Sequence, residues 1–138
     1  MKYLLDTSVI SELISNRPNP DVVDFIDSLD QENIYLSAIT VGEIAKAIQK
    51  LTNAQRKEKL EKWLREDLLV RFEGNIIPLD TNIFIRWGEL SAKLEGIGVE
   101  QPAIDSLIAA TVLTHRMVLV TINETDFENL EIEIVNPW

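Results

Sequence analysis

Short runs of consecutive apolar residues alternate along this chain with longer stretches in which apolar positions recur every three or four residues. Tyr3-Leu4-Leu5-Asp6, Ile34-Tyr35-Leu36-Ser37, Ile76-Ile77-Pro78-Leu79, Val118-Leu119-Val120-Thr121 and Ile132-Glu133-Ile134-Val135 are runs of the first kind and predict five strands. Helical patterns lie between them. The first covers about residues 7 to 15 and stops before Asn16-Arg17-Pro18, and the second opens with Asn19 as N-cap and Pro20 at the first position. Thr40-Val41-Gly42-Glu43 has the form of a capping box, and the helix it predicts carries Val41, Ile44, Ala45, Ile48 and Leu51 on one face. Residues 54 to 70 continue as a charged amphipathic helix. Asp80-Thr81-Asn82 caps a helix over about 82 to 95, which Gly96 and Gly98 end, and Pro102 begins the apolar helix 103 to 115.

Strands separated by helices call for right-handed crossovers and a mainly parallel sheet covered on both faces. The predicted class is therefore α/β: a three-layer α/β/α sandwich around a mainly parallel five-stranded sheet. The chain shows no repeat, low-complexity tract or linker, so residues 1–138 read as a single domain.

Composition removes several chemistries. There is no cysteine, which excludes thiolate catalysis, Cys-based zinc and disulfide scaffolds and fits a cytoplasmic protein. One histidine, His115, excludes multi-His metal sites and by position reads as a cap of its helix C-terminus. Asp6 interrupts the N-terminal apolar run, and nowhere do 18 uncharged apolar residues follow one another, so neither a secretion signal nor a membrane span is expected. Trp63, Phe84, Trp87 and Trp138 read as core or interface residues in preference to base-stacking platforms, with Trp138 on the sheet edge.

A net charge of −10 argues against nucleic-acid binding by the whole surface. The cations are nevertheless gathered. Residues 46 to 71 hold Lys46, Lys50, Arg56, Lys57, Lys59, Lys62, Arg65 and Arg71 against Glu58, Glu61, Glu66 and Asp67. The ordinary reading is a solvated helical face with pairs such as Glu58 to Lys62 and Glu61 to Arg65. An anionic substrate approaching from that side is the alternative.

In open parallel sheets, sites lie in the crevice beyond the carboxyl ends of the strands. Asp6 ends the first predicted strand, Glu43 follows the second within the first turn of its helix, Asp105 lies in the first turn of its own helix, and Asn123 and Asp126 follow the fourth strand. Each has a structural explanation as a cap or first-turn acid. Together they make little sense as caps alone, because helix N-termini at such a crevice attract anions, and a rim of acids suits an anion only through a cation. Oxygen donors without Cys or a second His point to Mg²⁺ or Mn²⁺ and to phosphodiester hydrolysis, with the ion acidifying water and neutralising the phosphorus centre.

LLDTSVISEL, TVGEIAKAI, PAIDSLIAATVLTH, LVTINETDF and the terminal IVNPW resemble, in this order, the PIN-domain ribonucleases, specifically VapC-like toxins of toxin–antitoxin modules. The resemblance implies an α/β/α fold, a Mg²⁺- or Mn²⁺-dependent endoribonuclease acting on RNA, homodimerisation, and neutralisation by a small VapB-like antitoxin that alone contacts operator DNA. It matches Asp6, Glu43 and Asp105 to three acidic metal ligands and Thr7 to the hydroxyl beside the first. Ile122 replaces the family's usual Arg, Asn123 takes a position where some relatives carry Asp, and Asp126 supplies a fourth charge. A second reading is a PIN-like binding module with weak or no cleavage, acting mainly in a DNA-binding complex with its antitoxin. A phosphoacceptor resembling a receiver domain fits less well, because Asp6 has no acidic neighbour.

Overall fold

The computed structural model describes residues 1–138. Strands β1 (Tyr3–Leu5), β2 (Ile34–Ser37), β3 (Ile76–Ile77), β4 (Val118–Val120) and β5 (Ile134–Val135) form one sheet in the order β3-β2-β1-β4-β5. Every pairing is parallel, with Leu4 of β1 opposite Tyr35 of β2 and Leu119 of β4. Strand β3 is shorter than its apolar run, since Pro78 has no N–H to extend the ladder.

The alternation of side chains along a strand sorts the core into two layers. Leu4 and Leu119 point to one face, where they meet Ile83, Leu90 and Leu94 of α6 (Thr81–Gly96) and Ile108, Ala109 and Val112 of α7 (Ala103–His115). Leu5, Val120, Ile34 and Leu36 point to the other. That face is covered by α1 (Thr7–Leu13), α2 (Pro20–Asp27), α3 (Ala38–Gln49), α4 (Ala54–Trp63) and the short α5 (Leu69–Arg71). The two clusters are equal, with 13 buried residues each, so the sheet is covered on both sides and its strands read as unbroken apolar runs. This is the three-layer sandwich that the pattern predicts.

Several local expectations change. Ser37, the last residue of β2, caps α3 by accepting the Ile39 N–H on Oγ at 3.1 Å. The strand thus turns directly into the helix, and Thr40-Val41-Gly42-Glu43 is not a capping box but lies inside it, with Thr40 buried and Glu43 in the second turn. A π-helical stretch, Leu64–Leu68, joins α4 to α5 and rephases the segment so that Leu64, Leu68 and Phe72 all reach the core. Arg65 makes no ion pair with Glu61, whose Oε1 instead accepts from Gln49 Nε2 at 2.6 Å. Glu58 pairs with nothing either, and the ion pair that does form, Lys62 to Glu66 at 3.9 Å, is exposed.

Helix α7 closes through Arg116 in the left-handed region, φ 53°, whose N–H bonds the Val112 carbonyl, so the backbone does the capping expected of His115. Pro102 stands at the N-cap of α7, and Gly98, φ 75°, turns the chain after α6. Trp138 does not sit on the sheet edge. It folds back over the α1 layer, donating from Nε1 to Glu12 Oε1 at 3.2 Å. No helix is long and apolar enough to cross a membrane.

The topology fixes where a crevice opens. From β1 the chain moves to β2 and β3 at one edge, then returns by α6 and α7 to β4 on the opposite side of β1. After β1 it enters the α1 layer, whereas after β4 it turns through a 3₁₀ segment, Glu124–Phe127, into the opposite layer. The switch point therefore lies beyond the carboxyl ends of β1 and β4.

Candidate active site

Asp6 follows β1 at this switch point. Its backbone occupies the N-cap position of α1, accepting the Val9 N–H at 3.0 Å, yet its carboxylate caps no helix N–H. Instead Oδ2 accepts the hydroxyls of Thr121 at 2.7 Å and Ser8 at 3.1 Å. Thr121 directly follows β4 and in turn accepts the Asn123 N–H at 3.0 Å. The Asp6 N–H bonds the Val120 carbonyl at 2.9 Å, so backbone and side chain together tie the two strand ends. Asp6 is 8% exposed, and both hydroxyls fall on Oδ2, so that Oδ1 has no hydrogen-bond partner within the protein.

Glu43 reaches the same place from the second turn of α3. Its Oε1 accepts the Thr7 hydroxyl at 2.7 Å, and Thr7 also bonds the buried Thr40 hydroxyl at 3.2 Å. The first turn of α1 thereby holds Asp6 through Ser8 and Glu43 through Thr7.

Asp105, in the first turn of α7, reports how close these acids are. Its carboxyl is raised above the ordinary value of 3.8, first by burial and then by the charges of Asp126, Asp6 and Glu43. Four carboxylates from four separate segments thus share one negative field. They do not close on a single point, since no three of them are gathered as tightly as a ligand cage. Both facts hold because Coulomb repulsion reaches several ångströms beyond the roughly 2.0–2.1 Å of a bond from magnesium to oxygen.

The 3₁₀ segment after β4 carries the last two candidates. Asn123 stands at its N-cap without a side-chain cap bond. The Asp126 N–H bonds the Asn123 carbonyl at 3.1 Å, and its own carbonyl accepts from Gln101 Nε2 at 2.6 Å. The structure brings Asp126 into the field of Asp105 and leaves the Asn123 side chain beside it, exposed. Ser8, Thr40 and Thr121 escape the sequence reading as supporting groups. Their signal was limited to hydroxyls adjoining Asp6, Glu43 and the end of β4.

A model of the PIN domain matches residues 3–133. The chain belongs to the PIN-domain family. It is 36% identical to Toxin FitB of Neisseria gonorrhoeae over 98% of this chain and 97% of that protein. It is 32% identical to VapC ribonuclease Y4jK of Sinorhizobium fredii, over 98% of this chain and 96% of the relative. Among solved structures, FitAcB from Neisseria gonorrhoeae superposes with a TM-score of 0.93 at 36% identity, covering 99% of this chain and 98% of that one. FitAB bound to an IR36 DNA fragment gives 0.92 at 36% identity, covering 99% and 95%. A toxin–antitoxin complex from Klebsiella pneumoniae gives 0.71 at 25% identity, covering 99% and 98%. This PIN domain is thus one of the VapC-like toxins.

The crevice side chains that could supply oxygen ligands to a hard cation are Asp6, Glu43, Asp105 and Asp126, although no three of them are gathered into a cage. Their donors are oxygen only, and no Lys or Arg is paired with any of them, the two ion pairs of the molecule lying elsewhere. Of the aromatics, Trp87 donates from Nε1 to Ser106 Oγ at 2.9 Å, and Trp63 packs against the α1-side core. Phe84, 46% exposed, stands edge-on to Trp87.

Proposed function

We propose that this PIN domain, acting as one unit over residues 1–138, is a Mg²⁺- or Mn²⁺-dependent endoribonuclease toxin of a toxin–antitoxin module. The observation that carries this reading is Asp105, whose carboxyl is raised first by burial and then by Asp126, Asp6 and Glu43, none of which is ion-paired with a Lys or Arg. Uncompensated acids at a crevice are costly to the fold and suit a hard divalent ion. Such an ion, when bound, supplies acidified water and neutralises charge on a phosphodiester. The chain's own residues do the rest. Thr121 and Ser8 fix Asp6 through Oδ2, leaving Oδ1 without a partner in the protein, Thr7 fixes Glu43, and Asp105 and Asp126 complete the acidic wall that would hold the ion beside a scissile phosphate.

The names of the relatives support the same reading. Y4jK is named a VapC ribonuclease, FitB a toxin, and FitAB has been solved on DNA. By extension this chain works in the cytoplasm as a homodimer, bound and silenced by a VapB-like antitoxin, and meets operator DNA only through that partner.

Purified protein should cleave single-stranded RNA with Mg²⁺ or Mn²⁺, stop with a chelator, and lose cleavage in Asp105→Asn. Cleavage equal in wild type and variant would mark a contaminating nuclease and end the proposal. The exposed Ile122, where the resemblance has Arg, favours the second reading of a binding module. Absent cleavage, with intact operator binding by the antitoxin complex, would decide for it.

A further inference from the structure

One of the crevice acids, Glu43, shares a cavity with a cation that the proposed chemistry does not use. A cavity of about 120 Å³ lies between α1, α3 and α4, with Thr7 and Glu43 on its lining, Ile44 and Leu60 among its apolar walls, and Arg56 as its single basic residue. Arg56 is exposed and belongs to neither ion pair of the molecule, Lys62 to Glu66 or Lys93 to Glu131. Its place on the helix is electrostatically poor. It is the third residue of α4, where Asn53 Oδ1 accepts its N–H at 3.0 Å, and the first turn of that helix holds no acid. A guanidinium there, with Lys57 beside it, adds positive charge at the positive end of the helix dipole, where Asp or Glu is the stabilising choice.

The adjoining end of α3 carries Lys46 and Lys50, so four cations flank the loop between the two helices. In a chain of net charge −10, unpaired cations set next to a carboxylate site call for a ligand that is itself anionic and must be drawn toward acids. A phosphodiester strand is such a ligand. The planar fork of Arg also matches two phosphate oxygens at once, which an ammonium does not.

We propose that Arg56 is a substrate-positioning residue: its guanidinium binds a backbone phosphate of single-stranded RNA next to the one presented to Asp6, Glu43 and Asp105. The strand then enters along the groove between α3 and α4, with Lys46 and Lys50 adding longer-range attraction. The inference rests on the ribonuclease reading for its substrate, but its test separates the two.

The experiment compares wild type, Arg56→Gln, Arg56→Lys and, as a control on the opposite layer, Arg86→Gln. Binding of a fluorescent single-stranded RNA is followed by anisotropy in chelator over a range of salt. Arg56→Gln should weaken binding about three- to tenfold and flatten the slope of log affinity against log salt by about 0.7, the increment for one neutralised phosphate on a single strand. Arg56→Lys should keep the slope and lose part of the affinity, and Arg86→Gln should change neither. With Mg²⁺ or Mn²⁺, KM for Arg56→Gln should rise more than kcat falls. Its melting temperature should not drop, because a cation leaves the positive end of α4, so weaker binding cannot be put down to misfolding. An unchanged slope and affinity in Arg56→Gln, an equal change in Arg86→Gln, or no RNA binding by wild type even at low salt overturns the proposal. If wild type binds RNA through Arg56 yet cleaves none with either metal, the nuclease reading fails and this inference stands.

Discussion

Thr121 Oγ1 donates to Asp6 Oδ2 at 2.7 Å across 115 residues of sequence, and this bond joins the two strand ends from which the chain departs into opposite layers. Both partners are buried, so the bond is shielded from water. Replacing Thr121 by Val keeps the shape and removes the donor. A hydrogen bond to a charged group contributes about 1.5–3 kcal/mol, and Ser8 still holds the same oxygen. Thr121→Val should therefore lower stability in urea by about 1–3 kcal/mol and weaken Mn²⁺ binding in calorimetry. Thr121→Ser should restore both. A Val variant with wild-type metal affinity would show that Asp6 needs no orienting hydroxyl.

The pH dependence of metal-free stability follows from Asp105. Its carboxyl is raised above 3.8 by burial and by Asp126, Asp6 and Glu43. Between 3.8 and the raised value the folded chain binds more protons than the unfolded chain, so stability falls as pH rises through that interval and the loss is complete above it. Asp105→Asn removes this dependence. The two stability curves should meet at low pH and separate above, with the variant the more stable at neutral pH. Mn²⁺ should reverse the order by raising the melting temperature of wild type more than that of the variant. Equal shifts in both proteins would remove Asp105 from the ligand set.

Asp126 and Asn123 can be ranked by titration. Asp126 contributes to the field on Asp105, whereas Asn123 bonds to Thr121 through its backbone alone. Asp126→Asn should thus raise the Mg²⁺ concentration needed for half-maximal cleavage, though less than Asp105→Asn. Asn123→Ala should have the smaller effect of the two, and Asn123→Asp should tighten the metal dependence if its side chain turns to the ion. If Asp126→Asn changes only thermal stability, the site ends with Asp6, Glu43 and Asp105.

The start of α3 offers a control away from the chemistry. Ser37→Ala should cost about 1 kcal/mol, since the Ile39 N–H loses its partner. Affinity for Mn²⁺ should stay within about twofold of wild type, a change of under 0.5 kcal/mol. A large loss of metal binding would mean that the cap also sets the position of Glu43.

Much of this was legible in the chain. The five apolar runs and their separation by helices define a parallel sheet with two covered faces, and the carboxyl-end rule points to Asp6, Glu43, Asp105, Asn123 and Asp126 before any geometry is known. The register of α3 was less legible, because Ser37 and Thr40 are both acceptable caps and only the exact end of β2 selects between them. The π-helical stretch leaves no mark in the apolar spacing of residues 54 to 70. The hydroxyl supports were hidden for a different reason. Thr121 meets Asp6 only once β1 and β4 lie side by side, a pairing that no local pattern encodes.

The strand order also sets when the site can exist during synthesis. Asp6 and Glu43 leave the ribosome early, but β4, which brings Thr121 to Asp6 and leads to Asp126, is made only after residue 117. A nascent chain that has folded its first helices still lacks half of its acidic wall. The acidic wall is therefore incomplete until β4 and the segment after it have been made, and a partner awaiting the toxin has that interval in which to be present.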